Sequence, residues 1–137
     1  MTFQSVHGID QPTHVAAVGP ITGAGLETQS DQDTPTGEVV RFTWHLRDGT
    51  VTADAIEQYN FTPDYRSCTA KATGTGTWTI ISGTGAYTGA SGSGTFTDDG
   101  SFVGARDGHG VCNPNVEPML SVFVLRGSGT AAVGGSA

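Results

Sequence analysis

The chain has 137 residues, 21 of them glycine, a net charge of −7 and a single lysine, Lys71. That length suits one domain. Abundant threonine, valine and glycine argue against helices, and the dispersed acidic charge leaves no footprint for nucleic acid or an anionic membrane surface.

No apolar run approaches the roughly 20 residues that span a bilayer as a helix. The opening MTFQSVHGIDQPTH lacks the basic-then-apolar pattern of a signal peptide. A cytoplasmic protein and a mature domain trimmed of its leader would read alike.

Residues 1–12 show little pattern and read as a flexible arm, with a barrel domain over 13–127 and a flexible tail over 128–137. His14 to Glu27 reads as one strand, bent or bulged at Gly19 and Pro20. The polar stretch from Gln29 to Gly37 reads as a surface loop.

Glu38 to Arg47 and Thr50 to Phe61 flank Asp48 and Gly49, a strong hairpin-turn signal. A turn centred there sets Arg47 opposite Thr50 and Glu38 opposite Tyr59. Alternation then places Val40, Phe42, Trp44 and Leu46 on an inner face with Val51, Ala53, Ala55, Glu57 and Tyr59. Arg41, His45 and Asp54 fall on the outer face.

Thr62 to Arg66 interrupts the pattern with a proline, and short strands follow at Ser67 to Thr73 and Thr77 to Ser82. In the second of these, Trp78 and Ile80 share a face. Beyond a glycine-dense turn over residues 83–92, Gly94 to Asp98 reads as paired with Ser101 to Arg106 across Asp99 and Gly100, another hairpin-turn signal. Residues 107–118 form a loop, and Met119 to Arg126 is the last apolar strand. The total is about eight strands in an all-β domain with little or no helix, and closure into a barrel removes exposed sheet edges.

Cys68 and Cys112 are the only cysteines. They leave open a disulfide, a pair of buried free thiols, or a reactive or metal-bound pair, with the disulfide ahead. A bridge would close a loop of about 45 residues, which a chain-entropy model values at roughly 4 kcal/mol. It would also favour a secreted mature domain over a cytoplasmic one.

Gly83, Thr84, Gly85, Tyr87, Gly89, Ala90 and Gly92 form a segment that resembles the GTG-x-aromatic-x-GA-x-G signature of plant allene oxide cyclases and dirigent proteins. With the strand Thr77 to Ile81 it is also similar to small bacterial proteins of that superfamily, some of them natural-product cyclases. The resemblance covers about 20 residues and implies an eight-stranded antiparallel barrel around an apolar cavity, generally without metal or organic cofactor. Ser91 stands where the plant proteins usually carry arginine. Independently of the family, the glycines suit a tight turn and Tyr87 offers an apolar body with a polar tip, a fitting plug for a barrel end.

Glu57 is the most informative single residue, because an inward carboxyl in apolar surroundings has a raised pKa and suits general acid or base chemistry. The competing structural reading solvates it at the mouth or pairs it with Arg126. Tyr59 lies on the same face as a second catalytic candidate. Phe42, Trp44, Trp78, Tyr87 and Phe123 are candidate ligand-lining residues that serve equally as core. The four histidines have no metal spacing, although His109 lies near Cys112. No serine sits in a nucleophile elbow. Asn60-Phe61-Thr62 is a glycosylation sequon, relevant only in a eukaryotic secretory host.

Two functions compete. One is a barrel for a small hydrophobic molecule, acting as a cofactor-independent cyclase or isomerase. The other is a secreted, disulfide-tied binding or structural domain without chemistry. A cavity of about 300 Å3 or more walled by Glu57 would favour the first, and an interior filled by Trp44, Trp78 and Phe123 the second. Association into a homo-oligomer is left open.

Overall fold

A computed structural model describes residues 1–35 and 37–134. Its strands are β1 (Thr2–Gly8), β2 (Thr13–Val18), β3 (Gly23–Thr34), β4 (Gly37–Leu46), β5 (Gly49–Asp64), β6 (Thr69–Gly83), β7 (Ser91–Val103), β8 (Ala105–Arg106), β9 (Cys112–Asn113) and β10 (Leu120–Ala132). One 3-10 turn, Gly85–Tyr87, lies between β6 and β7. The long strands close an antiparallel barrel in the order β1-β10-β7-β6-β5-β4-β3-β2. The all-β, eight-stranded expectation therefore holds. β8 and β9 form a separate small ribbon above the barrel.

The ends of the domain differ most from the sequence reading. The expected N-terminal arm is a full barrel strand: Phe3 pairs with Gly127 of β10 and with Ala17 of β2. Its ring sits in the core, 4.8 Å from that of Trp44 and 5.5 Å from that of Trp78. Much of the expected tail likewise belongs to β10, where Ser128 to Ala132 pair with β7. Residues 135–137 lie outside the described residues. The barrel thus runs from Thr2 to Ala132.

Inside the domain, strands are longer than their polar and glycine-rich residues suggested. His14 to Glu27 divides into the β2–β3 hairpin, turned where the Thr22 hydroxyl donates to Gly19 O at 2.7 Å. Gln29 to Thr34, expected as loop, is ladder paired with β4. Asp99 and Gly100 do not turn the chain but lie within β7, between β6 and β10. The two expected strands around Thr73 and Thr77 are one strand, β6. Pro63 stays within β5 because that stretch pairs only with β6, leaving its other edge free of a ladder that would need an N–H.

The β4–β5 hairpin keeps its predicted faces in a shifted register. Leu46 pairs with Gly49 and His45 with Thr50, so Arg47 and Asp48 make the turn. The slip is by two residues, and a period of two returns every side chain to its expected face. Phe42, Trp44, Leu46, Val51, Ala53 and Ala55 are accordingly buried. Outside, Arg41 Nε donates to Asp54 at 2.8 Å, and His45 Nε2 bonds with the Thr28 hydroxyl at 3.0 Å.

Glycine gives the barrel room for its aromatic rings. The Phe3 ring covers Gly127, Trp78 covers Gly94 and Gly129, Phe96 covers Gly76, and Phe123 covers Gly100. A Cβ at any of these positions would collide with the ring opposite. The rings of Phe3, Trp78 and Phe96 thereby help fill one half of the barrel, which Tyr87, 6% exposed, seals at its end. A Cβ at Gly83 or Gly49 would strike the backbone of the turn that carries Tyr87. The glycine-dense segment is therefore a closure.

Candidate functional site: an acidic cup at the open end

The ladder between β4 and β5 ends at Val40 and Ala55, while β5 continues along β6 to Asp64. The strands diverge there and the barrel opens. The inward alternation of β5 carries Glu57 and Tyr59 into this mouth, and that of β7 carries Asp98 beside them, since Tyr59 and Asp98 both pair with Gly74 of β6. Gly74 has no side chain, and the Glu57 carboxyl occupies the space its Cβ would take. Glu57 and Asp98 share a hydrogen bond there.

Two carboxyls hydrogen-bond only when one holds a proton. Desolvation, then the Asp98 charge and the hydrogen bond with it, push Glu57 up to about 7. Asp98 is raised as well, by desolvation and then by Asp99, although its bond with Glu57 opposes the rise. Its Oδ1 is buried without a partner. Burial also raises the Tyr59 phenol, with Asp98 and Glu57 adding to the effect. Tyr59 remains 49% exposed at the rim.

A further carboxylate lies beneath this pair. Glu27 is 8% exposed and stands directly opposite Trp44 in the β3–β4 ladder. Trp44 Nε1 donates to its Oε1 at 3.0 Å, and Gln29 Nε2 donates to its Oε2 at 2.7 Å. Desolvation nevertheless dominates and raises its pKa above the ordinary value.

Hollow space adjoins Glu57 and Glu27. Glu57, Glu27, Phe42 and Phe96 line a recess of about 80 Å3, smaller than the cavity of about 300 Å3 beside Glu57 that the small-molecule reading called for. Glu27, Gln29 and Leu125 are shared with a wider cavity of about 370 Å3, whose wall also includes His7, Thr13 and Phe123. His7 Nδ1 and the Thr13 hydroxyl lie 2.9 Å apart. Among the described residues, no group of three His, Cys, Asp or Glu side chains could hold a metal ion.

The predicted site residues fall into separate places. Glu57 and Tyr59 are together at the mouth, with Phe123 on the neighbouring cavity wall. Phe42 forms part of the recess, whereas Trp78 is buried in the core and Tyr87 closes the far end. Trp44 is core whose polar edge serves Glu27. Glu57 is exposed at the mouth, as the competing structural reading had it, but it does not pair with Arg126, an exposed residue on the outer face of β10.

Sequence reasoning missed Asp98 and Glu27. Alternation from Phe96 places Asp98 inside, but Asp99-Gly100 read as a turn and hid it. Glu27 sat at the end of a misjudged strand, so its facing residue was not apparent.

Above the mouth, Cys68 and Cys112 are joined in a disulfide, 44 residues apart in sequence. The bridge ties the β8–β9 ribbon to the end of the β5–β6 hairpin. Gly104 N also donates to Cys68 O at 2.7 Å. Of the open readings of the cysteines, the bridge is the one found, so His109 has no thiolate neighbour in Cys112.

No protein-family model matches the chain, and comparison with curated proteins and solved structures gives no significant match.

Proposed function

We propose that the protein is a small-molecule barrel, of the allene oxide cyclase-like kind its glycine-dense turn resembles, that isomerises or cyclises an apolar substrate without a cofactor. The observation that carries this reading is the Glu57–Asp98 carboxyl pair at the mouth of a partly hollow barrel, with Glu57 pushed up to about 7. A carboxyl poised near neutral pH can both donate and accept a proton efficiently.

The pair supports a balanced cycle. Protonated Glu57 gives its proton to a double bond or strained oxygen of the substrate, and the Asp98 carboxylate removes a proton from a neighbouring carbon of the resulting cation. The pair regains one shared proton and the substrate is isomerised with no net gain or loss. Phe42 and Phe96 supply apolar surface around the recess, and Tyr59 offers a rim hydroxyl to orient a polar substituent. Glu27, Glu57 and Asp98 together disfavour an anionic substrate and favour positive charge developing in the transition state.

The test is turnover of a panel of neutral polyenes and epoxides, followed by product analysis. Glu57→Gln and Asp98→Asn should each lower kcat by about 100-fold or more with the fold intact. Unchanged turnover would sink the assigned roles.

The second reading, a disulfide-tied binding domain without chemistry, draws support from the Cys68–Cys112 bridge and the solidly packed closed half. A bridged fold suits a secreted protein in an oxidising compartment. Saturable ligand binding with no product from any panel member would favour it.

A further inference from the structure

The widening sheet beyond the barrel mouth carries a second hollow. Its groove, of about 320 Å3, lies under the disulfide-tied ribbon and is lined mainly by apolar side chains, among them Phe61, Tyr65, Phe102 and Val116. Phe61, Tyr65 and Val116 are 55%, 61% and 48% exposed. Apolar surface gathered in one concave place marks a binding site more often than scattered exposure does. The charged lining residue Asp64 is already engaged, its Oδ1 accepting from the backbone N–H groups of Arg66 and Ser67 at 3.0 and 3.3 Å.

Aromatic rings connect this groove to the acidic cup. Phe61 meets Phe102 edge-on at 5.8 Å, and Phe102 meets Phe123 edge-on at 5.2 Å. Phe123 forms part of the cup wall beside Glu27. Along β5, Phe61 shares the face of Glu57 four residues away, a span of about 13 Å at strand rise.

We propose that the groove is a subsite for the uncharged aromatic or apolar tail of an elongated ligand whose reacting end lies at Glu57 and Asp98. This assignment rests on the reading of the cup as the reacting centre. Edge-on Phe61 and Phe102 would pack a flat tail, and the ribbon held by Cys68–Cys112 would roof it. The subsite selects for length and for the absence of charge, whereas the carboxyl pair acts on the head.

The probe is N-phenyl-1-naphthylamine, titrated by fluorescence into the intact, oxidised full chain. Saturable one-site binding with blue-shifted emission is expected. Phe102→Ala and Val116→Glu should each weaken it by about tenfold or more, while Glu57→Gln should change it by less than about twofold. Val116 belongs to the loop after the small ribbon and pairs with no barrel strand, so its variant reports the groove even if Phe102→Ala misfolds. Absence of saturable binding, or binding that survives Val116→Glu within about twofold, would overturn the subsite. Failure of the carboxyl chemistry would show separately, as turnover unaffected by Glu57→Gln with probe binding retained.

Discussion

Trp44 donates its indole N–H to Glu27 across the β3–β4 ladder at 3.0 Å, inside the barrel. The tryptophan thereby joins the packed half to the acidic cup, its ring against Phe3 and its edge on a carboxylate. Trp44→Phe keeps most of the ring volume and removes one of the two donors to Glu27. Leaving a buried acceptor short of a partner costs about 1–3 kcal/mol. Urea unfolding of this variant near pH 8 should show a loss of that size, with a smaller loss at pH 4, where protonation relieves the buried charge.

Tyr87 tests whether the glycine-dense turn is a plug. Its hydroxyl reaches Thr22 O only at 3.4 Å, so the ring and not the hydrogen bond holds the closure. Tyr87→Phe should therefore alter stability by less than about 1 kcal/mol. Tyr87→Ala, which empties the barrel end, should cost about 3–5 kcal/mol. Thermal unfolding separates the two, and a comparable loss in both variants would assign the stabilisation to the hydroxyl.

The raised carboxyls set the pH dependence of folding. An acid whose folded pKa exceeds its unfolded value contributes stability that is fully present below the unfolded value and lost as pH rises through the folded one. For Glu57 that window runs from the ordinary 4.5 to about 7, and Glu27 and Asp98 act in the same sense. The melting temperature should fall across this window in the wild type. Glu57→Gln should flatten the fall, since an amide can still donate to Asp98 without carrying charge. An equal slope in both proteins would remove Glu57 from the linkage.

Much of the fold was legible because inward alternation survives errors of pairing. The β4–β5 register was displaced by two residues, yet Phe42, Trp44, Ala53 and Ala55 stayed on the buried face. Strand lengths were harder to read. Phe3 lies in a stretch with little apolar periodicity, and its burial depends on Gly127, far away in sequence, leaving it room. Asp99-Gly100 carries the local chemistry of a turn but is held extended by ladders on both sides. The candidate site was half legible for the same reason. Glu57 followed from the hairpin, whereas its partner Asp98 is brought close only by the shared neighbour Gly74.

Direct observation of the Glu57 carboxyl is the most decisive measurement. Carbon-detected NMR titration of the wild type should place its midpoint near 7, above the ordinary 4.5. The midpoint should fall in Asp98→Asn, which removes the neighbouring charge while leaving the burial. A Glu57 midpoint near 4.5 in the wild type, unmoved by Asp98→Asn, would contradict the shared-proton pair on which the proposed chemistry depends.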